Sequence, residues 1–336
     1  MIAERAGVSR NTVSAVLRNR PGYAPETKEM IEELAKEMGY QANPMVSALM
    51  RSVRHSQPAA HRGNLAYLHP YGDSQKWRES SFLRELFEGA RERGQLLGFQ
   101  VDPIWTGAPG LTGPKLTRML VARGIEGVIV SSLLKGRGRL HLDWEKFAAI
   151  SLGFSLWRPA LHRVATHQYH VVGHAFRNLR RLGYNRVGVV LSREMDSRFD
   201  YAWEAGTTIV NNSLPKSKRI APLVAEQTDA KSVDAWLAKN RPDAVIDGIG
   251  WLEGHFKKQG IKIPEEIGLV SLLADGSPGS AATVRPDWSA LGAAALDAVA
   301  EQLIRNERGI PAKPRTVLIE AEWVPGPTVR ERRGTH

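Results

Sequence analysis

The first residues able to do chemistry stand close together near the start of the chain, in AGVSRNTVSAVLRNRPG (residues 6–22). A helix begun after Ser9 puts Val13, Val16 and Leu17 on one side and Arg10, Asn11, Ser14 and Arg18 on another. Ser9 suits the N-cap, where a short hydroxyl accepts from backbone amides that have no partner inside the helix. Arginine pairs bidentately with guanine and asparagine with adenine in the DNA major groove, while hydroxyls and backbone amides hold phosphates. The same pattern also suits a solvated amphipathic helix packed on its neighbour, so at this level two readings stand side by side.

Further along, NPMVSALM sets Asn43 and Pro44 before a short stretch carrying Leu49, with Arg51 and Arg54 just beyond. An apolar wedge beside basic side chains is what minor-groove benders insert between base steps. A linker helix with one core leucine has the same look. Tyr71, Trp251 and Trp288 follow apolar, strand-like runs and offer flat faces on which a small ligand could stack; core packing would use them equally well. In HRVATHQYHVVGH, His170 and His174 lie four apart and could share a helix face, but the sequence offers no obvious third metal ligand. A solvated histidine pair is expected there, with no metal and no cofactor. DGIGWLEG imitates part of a dinucleotide fingerprint, yet its third glycine falls one place late. No nucleophile elbow, phosphate loop or paired catalytic carboxylates stand out, which disfavours an enzyme.

The chain that must position these residues is 336 long, enough for two or three domains. Lys and Arg outnumber Asp and Glu by 46 to 35, a net charge of +11 that favours a polyanionic partner. The absence of cysteine removes disulfides and thiolate chemistry together. No signal-like start and no apolar run of membrane-spanning length is present, so a cytoplasmic protein with no membrane partner is expected.

Residues 1 to about 50 read as short polar helices. PETKEMIEELAKEMGY places Met30, Ile31, Leu34 and Met38 at helical spacing, with Pro25 in the first turn and Gly39 at the stop. HSQPAAHRGN reads as a linker. From Asn64 onward, apolar runs such as EGVIVSSLL, FAAISLGF, RVGVVLS and IGLVSLLAD alternate with amphipathic stretches. Continuous apolar strands separated by helices indicate parallel sheets covered on both faces. The length fits an α/β fold of two doubly wound parallel-sheet lobes behind a small all-α head, with ligands beyond the carboxyl ends of the strands.

Residues 3–50 resemble the headpiece of the LacI/GalR family of bacterial transcription regulators. The core AGVS-x-x-TVS-x-VL-x-N, the helix PET-x-E and the hinge GY-x-x-NP-x-x-x-x-L occur in order. RGIEGVIVS, LRRLGYNRVGVV, RPDAVIDGI, GIKIPEEIGLVS and VPGPTVR extend the likeness to that family's periplasmic-binding-protein-like type I core. The resemblance implies a helix-turn-helix head over 1–42, a hinge helix and linker over 43–62, and an effector-binding and dimerisation core over 63–330. Within that core it implies a first lobe of about 63–159 plus 285–315 and a second of about 160–284 plus 316–330.

It further implies a homodimeric repressor that reads a near-palindromic double-stranded DNA operator and responds to a small-molecule effector, a carbohydrate or related metabolite. Arg10 and Asn11 would then face base edges, Ser9, Thr12 and Ser14 would hold phosphates, and Arg18 and Asn43 would add contacts. Leu49 would wedge the minor groove. Ala15 stands where relatives often carry a basic residue, and Ala24 replaces a capping serine at a cost of about 1 kcal/mol. The family pattern before IAERAGVS is represented here only by Met1, so a longer natural N-terminus is expected. Arg198 matches a position that contacts effector in relatives, and Asp275 stands two places beyond a usual acidic position, now Leu273. The alternative is a soluble small-molecule binding protein whose head no longer binds DNA.

Overall fold

The computed structural model describes residues 2–9, 12–13, 16, 23–37, 63–71, 76–226 and 229–332. In the head, α1 (Ile2–Arg5) and α2 (Pro25–Glu37) pack together. Pro25 opens α2 as its first residue, where a missing N–H costs nothing, and the Lys28 amide reaches the Ala24 carbonyl at 3.1 Å. The inward edge of α2 is Ile31 and Ala35, both buried, whereas Met30 is 39% exposed. Of the expected stripe, Ile31 is inward, packed with Val13 and Val16 and beside Ile2, Ala3, Ala6 and Val8, whereas Met30 lies outside it.

Among the described residues, ten parallel strands build the main sheets of the two lobes. The first sheet contains β1 (Gly63–His69), β2 (Phe99–Trp105), β3 (Ile125–Val130), β4 (Ala148–Leu152), β5 (His162–Thr166) and β11 (Thr316–Ile319), in the order β11-β5-β4-β3-β1-β2. The second contains β6 (Val187–Ser192), β7 (Leu223–Ala225), β8 (Ala244–Gly248) and β9 (Gly268–Ser271), in the order β9-β8-β6-β7. An antiparallel ribbon of β10 (Thr283–Pro286) and β12 (Ala321–Val324) lies alongside β9 through the Val270–Ala282 bridge. Every residue of β4 and of β8 is buried, as strands covered by helices on both faces must be.

The helices that cover the first sheet are α3 (Ser81–Leu97), α4 (Gly113–Ala122) and α10 (Trp288–Arg305). One face buries Leu65, Tyr67, Phe87 and Ile150 against Leu291, Leu296 and Val299 of α10; the other buries Leu68, Val128 and Val130 against Leu116 and Leu120 of α4. The axes of α3 and α10 approach so closely that a Cβ on Gly292 would run into the Leu86 carbonyl and come within 2.8 Å of the Ala90 nitrogen. The second sheet is sandwiched between α5 (Gln168–Arg181) with α7 (Ala202–Ser213) and α8 (Ala230–Asn240) with α9 (Leu252–Lys258), reached through the short α6 (Arg193–Ser197).

Two strands fall on a different side from the one expected. His162–Thr166 and Thr316–Ile319, expected in the second lobe, pair with one another, and His162–Thr166 pairs in turn with β4 of the first sheet. The chain changes lobe only after them, at His167, at Glu320 and, in the return direction, near Asp287. The apolar runs themselves could not reveal this, because an apolar parallel strand reads alike in either sheet, whether buried like Val164 and Ala165 or at the exposed edge like Val317 and Leu318.

Candidate functional site

The head orients its reading segment from three points. Gly7 takes a φ of +63° in the turn, and the Ala6 and Val8 amides bond back to Ile2 and Ala3. Ser9 Oγ then accepts from the Thr12 amide at 3.0 Å, and the Ser9 carbonyl accepts from the Val13 amide at 3.1 Å. This is the N-cap expected of Ser9. Val13 and Val16 are buried with Ile31 against Ile2, Ala3, Ala6 and Val8. Ser9 Oγ and Thr12 Oγ1 also lie 2.8 Å apart in an exposed position. One hydroxyl hydrogen is spent on that bond and the other remains for an acceptor such as a phosphate oxygen. Arg10, Asn11, Ser14, Arg18, Asn43 and Leu49 lie outside the described residues, as does the 43–62 segment.

Between the lobes, beyond the carboxyl ends of β3, β4 and β5, opens a narrow cleft. Its first-lobe wall carries Ser132, Phe154 and Ser155 from the loops after β3 and β4, with Trp288 from the start of α10. From the second lobe come Gln168, Arg198 and Phe199. Arg198 Nη2 donates to the Tyr71 hydroxyl at 3.0 Å, a bond that crosses from one lobe to the other. Arg198 Nε is buried and has no partner among the described residues. Burial raises the Tyr71 phenol above its ordinary value, against the opposing pull of the Arg198 charge, so the phenol stays neutral and able to accept. Gln168 Oε1 accepts from Trp203 Nε1 at 2.7 Å, which leaves the amide nitrogen for the cleft.

Arg198 is positioned through a buried carboxylate two residues before it in the chain. Asp196 accepts from the Trp203 and Glu204 amides at 3.0 and 2.9 Å and so fixes the start of α7 beside the α6 turn that ends at Arg198. A second buried carboxylate, Asp247 at the end of β8, accepts from the amides of Ile249 and Gly250 at 2.8 Å and of Leu252 at 3.3 Å. Desolvation pushes both carboxyls up from the ordinary range, opposed by these amides.

Residues 2–43 match the family model of the bacterial regulatory proteins of the lacI family, and residues 176–329 match that of the periplasmic binding protein-like domain. The chain thus joins a lacI-type head domain to a periplasmic-binding-protein-like domain. Solved structures with the same LacI-family fold include the transcriptional regulator CelR in complex with cellobiose, at 17% identity over 98% of each chain and a TM-score of 0.57. The lac repressor dimer bound to operator and an anti-inducer is 17% identical over 98% of each chain, with a TM-score of 0.53. A LacI-family regulator from Weissella paramesenteroides with bound glucose is 15% identical over 80% of this chain and 98% of its own, with a TM-score of 0.54. No curated protein matches the sequence.

Set in this LacI-type core, the five expected effector residues separate. Trp288 and Arg198 line the cleft, and Tyr71 stands behind Arg198 with its ring edge-on to Phe82 at 6.4 Å. Trp251 and Asp275 do not line it. Trp251 packs edge-on against His255 at 5.5 Å, at the margin of the α8–α9 core. Asp275 is exposed and turns onto its own loop, accepting from the Ser277 amide and hydroxyl at 3.0 and 2.8 Å. Those bonds hold its carboxyl below the usual range. Ile249 and Gly250 spend their amides on Asp247. Sequence reasoning missed Ser132, Phe154, Ser155, Gln168 and Phe199. All but Phe199 directly follow apolar strands, so the rule that ligands gather beyond strand carboxyl ends would have found them.

Proposed function

We propose that the chain is a sequence-specific DNA-binding transcriptional repressor that works as a cytoplasmic homodimer on a near-palindromic operator. A small effector in the interlobe cleft would control it. The observation that carries this reading is the pairing, in one chain, of a LacI-type head with a capped reading segment and a two-lobed core whose cleft holds a charged side chain with a spare donor. On this reading Arg10 and Asn11 contact base edges, Ser9, Thr12 and Ser14 hold phosphates, Arg18 and Asn43 add contacts, and Leu49 opens the central step.

A carbohydrate or related polyol suits the cleft. Trp288, Phe154 and Phe199 offer apolar ring faces, while Arg198, Gln168 and the two serines supply donors and acceptors. Cellobiose and glucose in the neighbours' structures support the same class. The effector would act only through unequal affinity for the two lobe arrangements, and the Tyr71–Arg198 bond, which joins the lobes, would have to break for them to part.

The test is a gel shift of the full-length protein on its own promoter region across a salt series. A steep loss of affinity with salt, together with preference for one sequence, supports the regulator. Sequence-blind binding would instead favour a small-molecule binding protein with a head that no longer reads DNA.

A further inference from the structure

Two of the passages between lobes run side by side. One leaves the first sheet at the end of β5 and enters α5; the other leaves it at the end of β11 and enters β12. The His167 amide donates to the Ile319 carbonyl at 2.9 Å, the last rung of the β5–β11 ladder. Just beyond that rung the side chains of His167, His170 and Glu320 gather. The two imidazoles stack with ring centres 3.6 Å apart and planes 4° from parallel. His170 Nδ1 lies 3.0 and 3.1 Å from the two Glu320 carboxylate oxygens. One donor atom from each of the three residues falls within 4.8 Å of the others.

We propose that His167, His170 and Glu320 form a binding site for one divalent transition-metal ion of the zinc class, placed on the hinge between the lobes. Two imidazole nitrogens and one carboxylate oxygen are the donors such borderline ions take, with water completing the shell. His170 and Glu320 are both exposed, so a hydrated ion can enter and keep some of its waters. The positive end of α5 points at this place, which makes the Glu320 charge necessary for a cation to settle. Metal–ligand bonds of about 2.0–2.2 Å need the donors closer than 4.8 Å, and parallel rings do not aim at one point. Binding therefore turns one surface imidazole out of the stack and replaces the His170–Glu320 hydrogen bond by two bonds to the ion. The histidine pair four apart on one helix face is a different set: His174 is not among the three gathered residues. Because the ion would join both passages, its affinity and the lobe angle are linked reciprocally. The site stands on the core alone and does not depend on what the head binds.

The experiment uses the full-length protein after dialysis against chelator. Zn²⁺ is titrated calorimetrically, with Co²⁺ absorption as a second readout, and thermal melts in chelator establish that each variant is folded. The expected result is one ion per chain, with affinity falling at least about tenfold in His167→Gln, His170→Gln and Glu320→Gln and holding within about twofold in His174→Gln. In the wild-type chain, Zn²⁺ should slow amide exchange over residues 166–171 and 318–322. Absence of saturable binding overturns the proposal. So does equal affinity in wild type and the three donor variants, or binding with no slowing at the two passages.

Discussion

Alanine in place of glycine should act with opposite sign at two helical positions of this core. In α10, a Cβ on Gly292 meets backbone of α3, the Leu86 carbonyl and the Ala90 nitrogen, and no rotamer change can relieve it. Gly89 is the reciprocal case, its added Cβ reaching within 2.7 Å of Ser289 backbone atoms. The helices must part by on the order of 1 Å, which loosens Leu86, Phe87, Leu291 and Leu296 together. Overpacking of this kind costs about 1–3 kcal/mol. Gly254, exposed in α9, has nothing within 4 Å of a built Cβ, so Gly254→Ala gains helix propensity of roughly 0.5–1 kcal/mol. At roughly 2–4 °C per kcal/mol for a domain of this size, Gly292→Ala should lower the melting temperature by about 3–10 °C and Gly254→Ala should raise it by a few degrees. Far-UV circular dichroism melts of the full chain measure both. Gly292→Ala melting within a degree of wild type would refute the close-approach argument, as would a destabilised Gly254→Ala.

Three further substitutions probe the sites themselves. Ser9→Ala strips the Thr12 amide of its acceptor and should cost the head about 1 kcal/mol, seen as faster exchange of the Thr12 amide and operator binding weakened several-fold. Tyr71→Phe keeps the ring on Phe82 but removes the Arg198 contact across the cleft. A charge-assisted bond worth about 1.5–3 kcal/mol biases the lobe arrangement roughly tenfold or more, so exchange over residues 195–200 should quicken; unchanged exchange would dissociate that bond from lobe closure. Asp247→Ala orphans three amides at the β8 end and should cost about 3 kcal/mol by urea unfolding. The pH dependence has a definite sign. Burial raises the folded-state pKa of Asp247 above its unfolded value, so the folded chain binds the extra proton. Its contribution is present in full below the ordinary carboxylate range and lost as pH rises through the raised value. Asp196 adds a slope of the same sign, and Asp247→Ala should flatten the total.

The head was largely legible, because caps and helix starts are local. Ser9 and Thr12 are three residues apart, and Pro25 announces α2 by itself. The lobes were legible as alternation, but not their membership. Nothing within HRVAT or TVLI says which sheet it joins: that is decided by pairing outside each segment, with β4 for HRVAT and, some 150 positions away, with HRVAT for TVLI. The same separation hid Glu320 as the third donor beside His167 and His170. In the cleft, Trp288 and Arg198 were found from strand ends and motif position, whereas Asp275 was misplaced because a nearby serine captures its carboxylate. Asp196 and Asp247 carry no local signal in the sequence; only their amide partners explain why they are buried.

Reading of DNA sequence through Arg10 and Asn11 is measured by selecting binding sites from a random duplex pool with wild type and with Arg10→Ala and Asn11→Ala. Wild type should enrich a near-palindromic site, and each variant should lose about 1–3 kcal/mol of discrimination at one symmetric base position while keeping the others. No enriched sequence with wild type, or identical preferences in all three proteins, would contradict it.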